Sequence, residues 1–298
     1  TRRFDASYVA GAYYPNVLPL RRIRVYSQWS SVTYPVWQGY VEAWPPSWPD
    51  GGLNDIVTLH AVDGFKVLNL SSLRGQSFSS EDTGTRITNA LTAVSIPSSD
   101  YSVGAGTITL VASGTVSDDT TALGHILDVV DSEGGGAVFY ANRGGTFVFE
   151  NMRHRIANET VSSGTYVDGA GTTGLVYRNL TASYDDSDLW NQVTITPSGG
   201  TAETVDDTGS QTTYFKRALS LSGLHARQGE AAAVASIILY RQADPRLRFP
   251  AIEIDGAANP TVLWPKLLAL EISDRITVTR TPPGGGAAIS QDCHVEAI

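Results

Sequence analysis

The chain carries nearly the same short stretch twice, once near its start and once at its end. The first copy reads RIRVYSQWSSVTYPVWQGYVEAW over residues 22–44, and the second reads RITVTRTPPGGGAAISQDCHVEAI over residues 275–298. Both copies open with Arg-Ile-x-Val and close on Val-Glu-Ala. Each alternates apolar and polar residues, breaks at a Pro, Gly or Ser stretch, and alternates again, which is typical of a hairpin with one buried face. This echo predicts two copies of one β module in a single chain.

The composition agrees with a β-rich protein of ordinary type. Thr, Ser and Val recur throughout, with 13 Tyr and 29 Gly, and such residues favour strands and turns. A length of 298 residues is enough for two domains with sizeable cores. No apolar run approaches the length of a membrane span. A chance match between two β-patterned segments would also produce the echo, and this alternative stays open here.

Patterning divides the chain into four segments. Residues 1–70 alternate like strands and predict a first β module. Residues 71–150 mix helical and strand patterns and predict a small α+β insert. Residues 151–188 are polar, with Gly and Ser, and predict a connector with one weak strand. Residues 189–298 return to strand patterns and predict a second β module with one helix.

Helical spacing occurs in three stretches, two in the insert and one in the second β module. The second of these stretches starts after Ser117 or Asp118 as a cap and stops at glycines. The third is Ala-rich and has the strongest helical pattern in the chain. The three predicted apolar faces consist of Ile87, Leu91 and Val94; of Leu123, Ile126, Leu127 and Val130; and of Ala232, Ala235, Ile238 and Leu239.

The net charge of −9 argues against a non-specific nucleic-acid binder, because such proteins gain affinity by neutralising phosphates. It is compatible with a conduit through which DNA passes without adhering. Cys293 is the only cysteine, so an intrachain disulfide is excluded, which fits a reducing compartment. Its place in an alternating strand favours a buried apolar role over a reactive thiol. Because the chain begins at Thr1 without Met and stops inside a strand pattern, we expect further residues before Thr1 and after Ile298.

Motifs for catalysis or cofactor binding are missing from the sequence. Its histidines form no zinc-binding spacing, and no Gly-x-Ser-x-Gly elbow occurs. His60 with Asp63 could belong to a hydrolase site, but a single strand histidine favours a structural role. Neither glycine-rich stretch leads into a helix with Lys-Ser or Lys-Thr, which argues against phosphate binding. The sequence therefore predicts no enzyme, no catalytic residues and no cofactor.

One acidic cluster, Asp185-Asp186-Ser187-Asp188, stands beside Trp190. A calcium site needs six or more oxygen ligands, and the EF-hand spacing is absent. Two interpretations stay open: a calcium site, or a solvated loop that caps the strand at Trp190.

Large aromatic residues stand on two Pro-rich loops. Tyr13 and Tyr14 lie in the first loop, and Trp44 and Trp48 lie in the second. Trp and Tyr are enriched at protein interfaces, so these four residues are candidates for a subunit interface. The alternative is that they cover the ends of the β modules.

Several long stretches resemble one family. RRFDASYVAGAYYPNVLPLRRIRV, TYPVWQGYVEAWP, DVVDSEGGGAVFYANRGGTFVFE and LWPKLLALEISDRITVTRTPPGGGAAISQDCHVEAI are similar to minor tail proteins of long-tailed, non-contractile phages, especially those of actinobacteria. The resemblance covers nearly the whole chain, and is least clear at 76–116 and 151–185. Such proteins look like the baseplate hub, also called the tail-tip or tail-associated protein.

The resemblance implies a mainly β fold with two tube-like β-barrel modules separated by an α+β insert. It implies a homotrimer whose three chains give six barrels in a ring at the tail tip of the virion, assembled in the cytoplasm of the bacterial host. The implied partners are the distal tail protein, the tape-measure protein, and other minor tail or fibre proteins. The implied role is structural: closing the tail tube, holding the tape-measure end and forming part of the DNA exit channel.

Two other functions remain open at this point. A distal tail ring protein is also β-rich, but it is typically a hexamer with one barrel per chain. A host-surface adhesin that binds carbohydrate would use exposed aromatic residues such as Trp44 and Trp48.

Overall fold

Short sheets and helices alternate along the chain in a computed structural model, which describes residues 3–49, 56–157, 161–169, 174–284 and 286–298. In these residues the strands are β1 (Arg22–Trp29), β2 (Val32–Ala43), β3 (Pro46–Ser47), β4 (Ile56–Val57), β5 (His60–Val62), β6 (Glu81–Asp82), β7 (Tyr101–Val103), β8 (Thr109–Leu110), β9 (Val138–Ala141), β10 (Phe147–Glu150), β11 (Thr165–Val167), β12 (Leu175–Val176), β13 (Asn179–Ser183), β14 (Gln192–Pro197), β15 (Glu203–Asp206), β16 (Ala218–Gly223), β17 (Arg248–Glu253), β18 (Arg275–Arg280) and β19 (Ile289–His294). The helices there are α1 (Gly64–Leu70), α2 (Thr83–Ala93), α3 (Ala122–Glu133), α4 (His154–Ala157), α5 (Thr208–Tyr214), α6 (Gln228–Gln242) and α7 (Pro260–Ala269).

The predicted predominance of β structure is confirmed, but the predicted barrels are not. Across the described ranges the sheets have four strands or fewer, and none of them closes on itself. The main sheets have the orders β1-β2-β5, β7-β10-β9, β15-β14-β16 and β12-β11-β18-β19. None of the described helices is long and apolar enough to cross a membrane.

Two apolar clusters hold these elements together. The larger cluster joins α2, α3, the β9-β10 hairpin, β14 and α6. The smaller one joins β11, β12, β18 and α7. Each cluster contains segments that are far apart in sequence, and β11 and β12 come from the segment predicted as a connector. The four-segment division made from the sequence stays a prediction.

The three predicted helices are present as α2, α3 and α6. The predicted cap of α3 is wrong, because Thr121 accepts the hydrogen bond from the backbone of Gly124 at 3.1 Å. The chain before α3 first pairs with residues 71–73, since Leu73 N donates to Thr120 O and Ala122 N donates to Ser71 O. That pairing delays the start of the helix beyond Ser117 and Asp118.

The buried face of α3 is also rotated from the predicted one. Its buried side chains include His125, Ile126 and Val129, whereas Leu127 is 44% exposed. His125 stacks on Phe78 with ring centroids 4.8 Å apart. A buried histidine therefore occupies a position where the apolar pattern gave no signal.

The last residue of α3, Glu133, connects three parts of the larger cluster through its buried carboxylate. It accepts hydrogen bonds from the hydroxyls of Thr83 and Thr107. It also accepts from the backbone N–H groups of Thr107 at 3.1 Å, Ile108 at 3.2 Å and Met152 at 3.4 Å. A buried charge is tolerated only with such satisfaction.

Replacing Glu133 by Gln should destabilise the fold by about 2–4 kcal/mol, because an amide nitrogen cannot accept from the donors that surround it. The free energy of unfolding, measured by urea denaturation, checks this expectation. Asp131→Asn is the matched control, since Asp131 is exposed on the same helix. Equal denaturation midpoints for the two variants would contradict this account of Glu133.

Candidate assembly surface

The two copies of the echo form hairpins with the same register across their motifs, although the β1-β2 pair has a bulge between Val25 and Tyr26 that the β18-β19 pair lacks. In the first hairpin Arg22 lies opposite Tyr40, the residue before Val41. In the second hairpin Arg275 lies opposite His294, the residue before Val295. The Arg-Ile-x-Val and Val-Glu-Ala motifs therefore occupy equivalent places in both hairpins.

The chain enters both hairpins in the same unusual conformation. Leu20 and Ser273 each stand two residues before the opening arginine, with φ of 59° and 75°. Leu20 N donates to Val41 O at 2.7 Å, and Ser273 N donates to Val295 O at 2.8 Å. A positive φ is uncommon outside glycine, so two coincident cases are strong support for a duplicated element over a chance match.

The glutamate of each Val-Glu-Ala motif forms an ion pair with a basic residue on a short helix. Glu42 pairs with Lys66 on α1 at 2.9 Å, and Glu296 pairs with Arg155 on α4 at 2.6 Å. In both copies the end of the hairpin is therefore attached to a short helix by an ion pair.

The two hairpins differ in their outer neighbours. β2 pairs with β5, while β19 has no second neighbour among the described strands. In the other direction β18 pairs with β11, while β1 has only β2 beside it in those strands. The edge strand that is open in one hairpin thus corresponds to a strand that is paired in the other. An uncovered strand edge presents unpaired N–H and C=O groups, which makes it a template for a further strand.

Of the four predicted interface aromatics, Tyr13 and Trp44 are brought together. Phe4 stacks on both rings, with centroid distances of 4.9 Å to Tyr13 and 5.9 Å to Trp44. Trp44 Nε1 donates to Leu18 O at 2.9 Å and so ties down the N-terminal segment. Phe4 was missed because nothing in the sequence indicated which aromatic residue would lie between the two loops.

Tyr14 and Trp48 lie outside this stack and are exposed, Trp48 by 55% of its surface. Tyr14 neighbours the stacked Tyr13 in sequence, and its peptide bond to Pro15 is cis. The role of all four residues at a subunit interface stays a prediction.

The acidic cluster at 185–188 is a network of local partners. Hydrogen bonds from the hydroxyls of Ser183 and Ser187 lower the pKa of Asp185 to about 2. Asp186 pairs with Arg217, and Asp188 pairs with Arg248 at 2.6 Å. Nowhere in the described part of the chain do three or more His, Cys, Asp or Glu side chains converge on one metal position. The arrangement favours a loop pinned to the neighbouring strands over a calcium site.

His60 and Asp63, the residues considered for a hydrolase site, have different structural places. Asp63 is the N-cap of α1 and accepts from Phe65 N at 3.1 Å, while His60 lies on β5.

Cys293 lies half-buried on β19, and burial raises the pKa of its thiol. Burial, together with the nearby guanidinium of Arg86, lowers the pKa of His125 to about 4.

The chain shares its fold with phage tail proteins of known structure. A tail protein from Neisseria meningitidis MC58 superposes with a TM-score of 0.54 at 12% identity, over 86% of this chain and 72% of the other. The 43 kDa tail protein of prophage MuSo2 from Shewanella oneidensis superposes with a TM-score of 0.55 at 13% identity, over 96% and 83%. No protein-family model and no curated protein matches the sequence. The resemblance to phage tail proteins is thus confirmed at the level of the fold.

The free energy of unfolding should fall as the pH drops from about 6.5 to about 4. In this range His125 is protonated in the unfolded chain but stays neutral in the folded one, because its pKa is lowered there. Burial also lowers the pKa of His225, which acts in the same direction. His125→Gln should flatten this pH dependence by about 2 kcal/mol between pH 7 and pH 5, measured as the difference between urea midpoints at these two pH values. The exposed His60→Gln is the control, and an unchanged pH slope in His125→Gln would refute the assignment.

Trp44→Ala should release the N-terminal segment, because it removes both the stacking on Phe4 and the hydrogen bond to Leu18. We expect cleavage within residues 3–20 to become faster in limited proteolysis, while the remaining chain stays resistant. Trp48→Ala, at an exposed position outside the stack, should leave the cleavage rate unchanged. Equal cleavage rates for the two variants would show that the stack does not hold the segment.

Proposed function

We infer that this chain is a structural protein of the phage tail tip, acting as the baseplate hub. In this role it closes the tail tube, holds the end of the tape-measure protein and forms part of the DNA exit channel. The observation that carries the proposal is the duplicated hairpin, whose two copies share the register across their motifs and the positive-φ conformation that precedes them. The fold shared with two tail proteins supports the same conclusion.

The duplication solves a problem of symmetry. A tail tube built from sixfold rings must join a tip with threefold symmetry. A chain that carries the same module twice presents six similar modules when three copies form a ring. We therefore propose a homotrimer, with each hairpin belonging to one tube-like β module.

The open strand edges give such a ring a means of closure. Among the described strands, β1 and β19 each lack the neighbour that their counterpart in the other copy has. In a ring, a neighbouring chain can supply the missing strand, since strand addition at a free edge satisfies backbone groups that water would otherwise solvate. The tube-like barrels would then be completed by assembly.

The charge and the proposed partners fit this location in the virion. A net charge of −9 disfavours adhesion of DNA to a channel through which it must pass. The proposed neighbours are the distal tail protein above the hub, the tape-measure protein inside it, and minor tail or fibre proteins around it. In this proposal no residue of the chain performs chemistry, and assembly takes place in the cytoplasm of the bacterial host.

The two alternatives have less support from the structure. A hexameric distal ring protein needs only one module per chain, and the equivalent hairpins argue for two. A carbohydrate-binding adhesin would present both tryptophans freely; Trp48 is exposed, but Trp44 is engaged by Phe4 and Leu18.

Electron cryo-microscopy of the intact particle, reconstructed at the tail end without imposed symmetry, tests the proposal. We expect three copies on the tube axis, with the hairpins at 22–43 and 275–294 alternating around one ring of six. Six copies would assign the chain to the distal ring, and copies away from the axis would assign it to an adhesin. Either of these results would overturn the hub proposal.

A further inference from the structure

Phe215 is an aromatic side chain held outward in a strained backbone conformation. It follows the last residue of α5 with φ of 61° and ψ of 167°, a region that glycine occupies almost exclusively. Its side chain is 83% exposed, although burial is what normally stabilises a phenylalanine. The position therefore combines two costs that a glycine there would avoid.

A buried hydrogen-bond network holds this turn in place. Asn191 is fully buried, and its Nδ2 donates to Phe215 O at 2.7 Å and to Ser210 Oγ at 3.2 Å. Its Oδ1 accepts from Arg217 N at 2.7 Å. Ser210 in turn donates to Ala243 O at the end of α6. Strained positions persist where surrounding contacts over-determine them, and here those contacts fix the direction of an exposed aromatic side chain.

The smaller apolar cluster contains an open cavity of about 520 Å³. Its walls come from β17, α7 and the β18-β19 hairpin, and they include Phe249, Ile252, Leu267, Leu270, Ile276 and Cys293. Pockets of roughly 300–1,000 Å³ accept groups larger than one aromatic ring. The same chain thus carries an exposed aromatic side chain after α5 and an apolar cavity in the smaller cluster.

Two exposed residues of opposite charge lie beside the two features. Lys216 follows Phe215, is exposed, and has no carboxylate within 4.0 Å among the described residues. Glu296 borders the cavity, and its side chain remains 68% exposed despite its pairing with Arg155. A second copy of the chain could bring Lys216 to this carboxylate while Phe215 enters the cavity.

We propose that Phe215 of one copy inserts into the apolar cavity of the neighbouring copy and forms a contact between chains of the ring. This inference rests on the proposed assembly of several copies and specifies one of its contacts. A head-to-tail ring needs two different, complementary surfaces on each chain, and a projection and a cavity meet that requirement.

Cross-linking through the single native cysteine tests the contact directly. Phe215→Cys places a second thiol in the chain, and Cys293 lies in the cavity wall. Treating assembled protein with a short bismaleimide at mildly alkaline pH should give covalent dimers and trimers on a denaturing gel. The ladder should disappear when Cys293→Ser is added, and should not form with Tyr240→Cys, a control at another highly exposed aromatic position. Cross-links within one chain only, or to a different tail protein, would overturn the inference.

The Phe215→Gly variant tests whether Phe215 contributes to binding between copies or to folding of one chain. Glycine adopts this backbone conformation readily, so the melting temperature should not fall. Association of copies should weaken by at least about tenfold, as for an anchor residue at an interface. Unchanged association would overturn the inference. If particles that carry Phe215→Gly still show three copies at the tip, the hub proposal stands and this contact is wrong. If wild-type particles do not show three copies at the tip, the hub proposal itself is refuted.

Discussion

The larger core depends on a single buried carboxylate. Glu133 ends α3 and accepts hydrogen bonds from α2, from the segment that leads into β8, and from Met152, two residues after the β9-β10 hairpin. These segments are distant in sequence, so the carboxylate fixes their relative position in a way that apolar packing alone would not. Because all its neighbours here are donors, the site selects a negatively charged acceptor and excludes an amide or an alkyl group.

Local patterns in the sequence predicted local structure well. The Ala-rich stretch became α6, and the echo became two hairpins in which the opening arginine lies opposite the residue before the Val-Glu-Ala motif. The hairpins could be predicted because alternation of apolar and polar residues assigns each residue to one face of a strand. The sequence did not predict the positive φ of Leu20 and Ser273, because neither residue is a glycine.

Contacts between segments far apart in the chain could not be predicted from the sequence. β11 has three residues in a polar segment, yet it pairs in parallel with β18, more than a hundred positions later. Phe4 and Phe215 likewise gave no pattern, because an isolated aromatic side chain has no periodicity. The start of α3 was misplaced since a pairing with residues 71–73 competes with the helix for the same backbone groups.

The hairpins also differ at their tips, and this difference has a practical consequence. The first is closed by Ser30 and Ser31, both with positive φ, in a two-residue turn that leaves no room for added residues. The second joins Arg280 to Ile289 through a longer, Pro- and Gly-containing loop. Loop tips of this kind tolerate inserted sequence. A foreign peptide or reporter grafted between residues 281 and 288 would therefore be displayed without disturbing the strand pairing, whereas the same graft at residues 30–31 would separate the strands.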